Sequence, residues 1–463
     1  MRLFQTAPNA ILSLRRNEMK KTEEILRPLK RIGGGVHLPH FKNTAESVSA
    51  IMPPPEKVVI PMRQHIGAPC EPVVKKGDTV FVGTKIGDTE QFVSAPIHSS
   101  VSGTVSELGT VLLPSGEECR TVVIESDGMM TPDPELKPVT VETAEDLVKA
   151  AHDCGLVGLG GAGFPTHIKL RKKEGTELDT LVINGAECEP FITSDYREII
   201  EQTENIFEAI YRIKELLGFK QVIICIEDNK PKAIEALYKI AADKRDTDDS
   251  IKLMRLKSHY PQGAEKVLIY TATGRRVPAG KLPSDVGCVV MNITSISVLN
   301  KYINTGMPLV SKTVTVDGAA VREPQNVVVP IGTSVKDVIE FCDGFKSTPR
   351  KILYGGPMMG TALINTDMPI LKQNNAIIAM DRRQSEKQKE TQCIKCGRCA
   401  SVCPMKLQPF NIEATLRCSD ISELKTLHAE YCIECGCCSY ICPAKRNLTQ
   451  SMRLAKAELR NSK

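Results

Sequence analysis

The chain has 463 residues, 41% hydrophobic, 25% charged and 4% aromatic, with no tryptophan. That balance excludes wholesale disorder. No run of 18 uncharged apolar residues marks a bilayer span, and no basic stripe interleaved with aromatics marks a nucleic-acid surface. The net charge of +5 is unevenly spread: residues 1–35 hold 8 Lys/Arg against 3 Asp/Glu, residues 381–463 hold 15 against 9, and the body between is mildly acidic.

In chain order, residues 1–35 read as a basic lead-in carrying Arg15, Arg16, Lys20 and Lys21 without the apolar stretch of a secretory signal. Residues 36–130 read as a small all-β module of short, turn-punctuated strands at Val58–Pro61, Pro72–Val74, Thr79–Val82, Phe92–Ser94, Gly103–Val105 and Thr121–Glu125. Residues 131–305 alternate helix and strand, the mark of an α/β domain. Helices are expected at Glu145–Cys154, Ser194–Leu217, Pro231–Ala242, Gly263–Thr273 and Ile293–Ile303. Strands are expected at Thr180–Ile183, Gln221–Ile226, Ile251–Leu256 and Gly287–Met291. Residues 306–380 read as a ββα unit (Thr313–Val316, Asn326–Val329, Ser334–Phe341) with a return strand at Ala376–Met380. Residues 381–463 hold a charged linker and a cysteine-rich tail. The fold class is thus multidomain, α/β and α+β.

Ten of the 17 cysteines lie between Cys393 and Cys442. Such crowding argues for metal ligation in a reducing compartment, not for disulfides. Cys393-x-x-Cys396-x-x-Cys399-x-x-x-Cys403-Pro404 is repeated as Cys432-x-x-Cys435-x-x-Cys438-x-x-x-Cys442-Pro443. Each triplet can present three thiolates to three irons of a cubane, and the Cys-Pro of each run serves the other cluster. One [4Fe-4S] cluster is therefore expected on Cys393, Cys396, Cys399 and Cys442, the other on Cys432, Cys435, Cys438 and Cys403. A Cys₄ zinc site calls for two cysteine pairs, not a triplet plus Cys-Pro twice over. Cys437 and Cys418 read as bystanders.

Gly158-Leu159-Gly160-Gly161-Ala162-Gly163 satisfies G-x-G-x-x-G, but a helix and not a strand precedes it, so a Rossmann dinucleotide site is not indicated. The longer strings are more specific. GLGGAGFPTHIKL at Gly158–Leu170 and LVINGAECEP at Leu181–Pro190 resemble the flavin-binding segments of the 51-kDa NADH-binding subunit of complex I. Within that superfamily the module order resembles the RnfC family of the Rnf ion-translocating electron transport complexes: a barrel-sandwich hybrid module of the biotinyl/lipoyl type, an FMN domain, an SLBB β-grasp module and a two-cluster ferredoxin-like tail.

The resemblance implies FMN held by Gly158, Gly160, Gly161, Gly163, Lys169, Asn184 and Glu187, with Phe164 stacking on the nicotinamide and Glu189 helping to hold NAD(H). Tyr260, Gly263 and Glu265 match a further segment, and Asn292 and Thr294 a turn near the FMN phosphate. It implies no catalytic side chain beyond the cofactors, NAD(H) as substrate, and membrane-embedded and iron–sulfur subunits of the same complex as partners. It implies a peripheral place on the cytoplasmic face of a prokaryotic cell membrane, and ferredoxin:NAD⁺ oxidoreduction coupled to Na⁺ or H⁺ transfer. Ala186, Ala264 and His167 depart from the complex I pattern. Two rival readings remain at this point: a soluble flavin/iron–sulfur reductase of the cobalamin reductase kind, and a non-catalytic iron–sulfur wire.

Overall fold

A computed structural model describes residues 33–462 apart from 115, 173–174, 245–247 and 387, together with the backbone of Leu26–Arg27. Most of the basic lead-in lies outside the described residues.

The central unit is a five-stranded parallel sheet in the order Leu26–Arg27, Ile251–Leu256, Gln221–Glu227, Thr180–Gly185, Cys288–Asn292. Its middle strands are apolar on both faces, and Val222–Ile226 are all buried. That is the pattern of a strand covered by helices on each side. From Thr180–Gly185 the chain winds outward through two strands and then returns to the other flank with Cys288–Asn292. The strand order therefore reverses beside Thr180–Gly185, and the crevice for a ligand lies beyond the carboxyl ends there.

The expected helix over 194–217 is two helices, Ser194–Glu201 and Thr203–Leu217, with Gln202 at φ −132° between them. The break lets each piece answer a different neighbour. Arg197 of the first donates to the Ala45 carbonyl, and Asn205 of the second donates to Ser297.

The all-β module is a pair of small sheets, of four and three strands. Its longest hairpin, Gly103–Leu112 with Glu118–Ser126, runs well past the short strands expected there. Phe92–Ser94, expected as a strand, is a bend, while Lys85–Asp88 and Ile97–His98 pair instead. The ββα unit is part of a six-stranded sheet whose edge is Ala50–Ile51. Residues 36–51 make contacts outside the two small sheets: Val36 bridges to Tyr260, Lys42 reaches the loop 187–192, and Ala50–Ile51 joins the six-stranded sheet.

The modules share buried contacts. Lys372, beside the ββα unit, is 1% exposed and donates to Pro96 O and Gly155 O, both at 2.7 Å, so one ammonium joins three modules. In the tail, Pro409–Arg417 packs on Leu448–Asn461 through Ile412, Met452 and Ala455, and Arg446 pairs with Glu413 in the interior. None of the described helices is long and apolar enough to cross a membrane.

Candidate functional site

The glycine-rich segment is a loop with a pinned base and a free tip. Gly158 N donates to Phe164 O at 2.9 Å, and Thr166 N to Leu156 O at 3.0 Å, closing the loop between helices Ala144–Asp153 and Thr166–Leu170. Leu159 is buried; its N–H donates to Ser295 Oγ and its carbonyl accepts from Lys312 Nζ at 2.9 Å. Burial pushes the Lys312 ammonium down to about 8. Gly160, Gly161 and Ala162 stand exposed above this base. A Cβ on Gly160 would lie 2.6 Å from Asn292 Nδ2, so only glycine lets the loop rest on that amide.

The strand ends supply polar groups beneath the tip. Asn184 and Asn292 are register partners at the carboxyl ends of neighbouring parallel strands. Asn184 Nδ2 donates to Gly263 O at 2.9 Å. Asn292 caps the helix Ile293–Thr305 by accepting from Ser295 N, and its Nδ2 donates to Asp195 Oδ2 at 2.7 Å. Thr294 Oγ1 donates to the other oxygen of Asp195 at 2.6 Å. Lys169 Nζ contacts Glu265 Oε1 at 2.7 Å and the Val290 carbonyl at 3.3 Å. Gln262 is fully buried, yet neither of its amide atoms has a partner among the described residues. A buried amide in that state calls for a ligand or water.

The loop 186–192 is held by cations from outside it. Lys42 Nζ donates to the carbonyls of Glu187, Glu189 and Ile192, and Lys230 Nζ to Ala186 O at 2.6 Å. The Glu187 carboxylate accepts from Asp195 N at 2.7 Å, at the start of the helix Ser194–Glu201. Burial pushes this carboxyl up and the Lys42 ammonium down. Glu189 is engaged elsewhere: its two oxygens accept from Met358 N at 3.0 Å and Met359 N at 2.9 Å, and burial pushes it up to about 7.

The sequence-selected residues therefore divide. Contacts join several of them at the strand ends: Gly160 rests on Asn292, Asn184 on Gly263 and Lys169 on Glu265, and Thr294 shares Asp195 with Asn292. Glu189 and Tyr260 face the cysteine-rich tail, where Tyr260 packs with Val36, Cys435, Cys437, Cys188 and Met358. Phe164 is half-buried at the base of its loop. Asp195, Lys42, Lys230 and Gln262 were not singled out by sequence. Only Gln262 lay within a matched string, and an acidic residue just inside a helix start carries no local mark of being shared by two side chains a hundred residues away.

Two cavities in the tail are ringed by thiols. One is lined by Cys393, Cys396, Cys399 and Cys442; the other by Cys403, Cys432, Cys435 and Cys438, with Cys437 as a fifth. Each cavity is thus ringed by three thiols of one run and the Cys-Pro thiol of the other, the set a cubane needs, since each sulfur meets a different iron. The crevice fits FMN in kind: a side-chain-poor backbone tip, an unpartnered buried amide, and the N-terminus of a thirteen-residue helix for a phosphate.

Known proteins match along the chain. A family described as the Nuo51 FMN-binding domain matches residues 151–301, the RnfC barrel sandwich hybrid domain matches 30–129, and the SLBB domain matches 313–362. The C subunit of the Na(+)-translocating ferredoxin:NAD(+) oxidoreductase complex of Acetobacterium woodii is 44% identical over 92% of this chain and 96% of its own length. The C subunit of the proton-translocating ferredoxin:NAD(+) oxidoreductase complex of Clostridium ljungdahlii is 42% identical over 82% and 83%. The C subunit of the ion-translocating oxidoreductase complex of Rhodobacter capsulatus is 40% identical over 92% and 83%. A crystal structure of NAD⁺-reducing [NiFe]-hydrogenase aligns over 68% of this chain and 63% of that one at 19% identity, with a TM-score of 0.48.

Proposed function

Because the chain belongs to the RnfC family, the C subunits of ion-translocating ferredoxin:NAD(+) oxidoreductase complexes, we propose that its crevice and its two thiol-lined cavities form one electron route between NAD(H) and a partner. It is a peripheral subunit of a membrane-associated complex that couples this electron transfer to Na⁺ or H⁺ movement, and it carries FMN and two [4Fe-4S] clusters. The side of the membrane it occupies is, in our reading, the cytoplasmic one. In the same reading the chain divides into five parts at residues 35, 130, 305 and 380, with 36–51 serving as a strap across the FMN and SLBB units.

Bound FMN exchanges a hydride with NAD(H) and single electrons with iron–sulfur clusters. The chain's own residues do the rest. Gly160, Gly161 and Ala162, exposed and poor in side chains, would leave room for the flavin. Asn184 and Gln262 would supply amides to hold it, and Lys169 with the helix start at Ile293 would answer its phosphate. Glu187 holds the helix Ser194–Glu201 in place, so that Asp195 can orient Asn292 and Thr294. No protein proton is needed for the hydride step, in keeping with His167, which burial pushes down to about 4.

The observation that carries the reading is the placement of the second thiol cavity. Cys435 and Cys437 pack on Tyr260, and Gly436 on Met358, so this cavity abuts the FMN unit while the first faces outward. The route runs from the crevice to the cavity of Cys403, Cys432, Cys435 and Cys438, then to that of Cys393, Cys396, Cys399 and Cys442. Anaerobic purification with reconstitution, flavin extraction and NADH titration test it. FMN bleached by NADH, followed by reduction of cluster signals, is expected; cluster signals without flavin would return the chain to the role of a wire.

A further inference from the structure

The inner cavity holds one thiol more than a cubane uses. Its lining includes Cys437 besides Cys403, Cys432, Cys435 and Cys438, whereas the outer cavity is lined by four thiols. The two runs correspond position by position, so Cys437, which reads as a bystander in sequence, stands where the first run has Arg398. The backbone is alike at both places. Gly397 at φ +73° and Gly436 at φ +80° each lead into a short helix, Arg398–Ser401 and Cys437–Ile441. The side chains differ in where they lie. Arg398 is exposed and outside the lining of its cavity; Cys437 is 1% exposed and part of the lining. Its sulfur is 4.0 Å from the Tyr260 carbonyl, a long contact for a thiol donor, and that carbonyl already accepts from Val36 N at 2.8 Å. The Cys435 side chain is within hydrogen-bonding reach of it. Of the four expected ligands, Cys435 is the one that shares a buried group with Cys437; Cys403 and Cys432 pack in a second group and Cys438 in a third.

We propose that Cys437 is an alternative ligand to the iron that Cys435 serves, so that the inner cluster keeps four thiolates with either sulfur bound. The proposal rests on the cluster assignment above and adds a ligand to it. The exchange balances within the chain. The iron–sulfur bond to Cys435 breaks and one to Cys437 forms. A ligating sulfur must be a thiolate, so the Cys437 proton passes to the departing Cys435 sulfur beside it. The charge and electron count of the cluster stay the same, and no outside reagent takes part. The exchange moves the iron-bound sulfur to the residue that touches the Tyr260 carbonyl, on the side of the FMN unit. The outer cavity has no such spare, since a guanidinium at Arg398 cannot ligate iron.

Iron and sulfide analysis of the reconstituted full chain tests this without turnover, with electron paramagnetic resonance to identify the clusters. The parent should carry about eight irons. Cys435→Ala should keep about eight, because Cys437 takes the vacated iron. Cys435→Ala combined with Cys437→Ala should fall to about four, the content of one cluster. Cys432→Ala should also fall to about four, since Cys437 stands in for Cys435 alone. Loss of the inner cluster from Cys435→Ala by itself overturns the alternative ligand, and so does its retention in the double variant or in Cys432→Ala. If circular dichroism finds Cys435→Ala unfolded, Cys435→Ser takes its place. The resonance of its inner cluster should then change when Cys437→Ala is added, and an identical resonance overturns the proposal. A parent chain that takes up no more than about four irons overturns the cluster assignment beneath it instead.

Discussion

Asn184 and Asn292 stand side by side at the ends of two parallel strands, each with its amide committed to a different segment: Asn184 to Gly263, Asn292 to Asp195. The pair sits where the strand order reverses, so the crevice is built from backbone topology before any side chain is chosen. Asn292 also caps the helix Ile293–Thr305.

Asn292→Ala should therefore cost two things at once. Loss of the cap destabilises the fold by about 1 kcal/mol, read by urea denaturation of the flavin-free chain. Loss of its hold on Asp195 loosens the ground beneath Gly160, and FMN retention should fall by roughly tenfold. Unchanged FMN affinity with the stability loss present would confine Asn292 to a structural role.

The contact between Lys169 and Glu265 gives a prediction of sign. Lys169→Met removes a cation that would meet the flavin or its phosphate, so FMN should bind about ten-fold or more weakly. Glu265→Gln releases the same cation from its ion pair, and FMN should bind no more weakly than to the parent. Fluorescence titration of the two variants decides it; parallel losses would mean that the pair acts as a unit in holding the helix Thr166–Leu170.

The crossing of the Cys-Pro ligands is testable by loss of one cluster at a time. Cys403→Ala should remove the cluster next to Tyr260 and stop NADH from reducing the other. Cys442→Ala should remove only the outer cluster and leave the inner one reducible by NADH. Electron paramagnetic resonance after NADH addition separates the two, and equal spectra would refute the exchange.

Acid should find the buried histidines. Burial pushes His65 down to about 4, His98 to about 3 and His167 to about 4, from an ordinary 6.5. Between pH 6.5 and about 4 the unfolded chain binds these protons and the folded chain does not, so each histidine makes the fold less stable as pH falls through that window. Glu189, pushed up to about 7, works in the opposite direction over the same range. The check is a difference: the melting temperature of His98→Gln should fall less steeply from pH 6.5 to 4.5 than that of the parent. Equal slopes would mean that His98 takes up its proton in the folded chain at ordinary pH.

Much of this was legible in sequence because it is local. The thiol spacings carry the cluster chemistry within fifty residues, and the parallel strands announce themselves as apolar runs such as Val222–Ile226. What was not legible is long-range. The break at Gln202 depends on the strap at Ala45 and on Ser297, neither of which leaves a trace in helical periodicity. The Glu189 carboxylate holds two amides about 170 residues away, a contact that no spacing rule encodes. Residues 36–51 look like the start of a β module because they are short on helical pattern, yet their partners are Tyr260, the 187–192 carbonyls and the 325–330 strand.

The close seat of Gly436 on Met358 has a consequence for how the chain is made. Cys435 and Cys438 are buried, with the second ligand run shut between the tail helices and the 355–360 turn. A delivery protein carrying a ready-made cluster has to reach those thiols while the tail is still undocked. Closing the tail onto the 355–360 turn thus shuts the second ligand run away from large molecules, whereas Cys393 and Cys396 of the first run stay exposed.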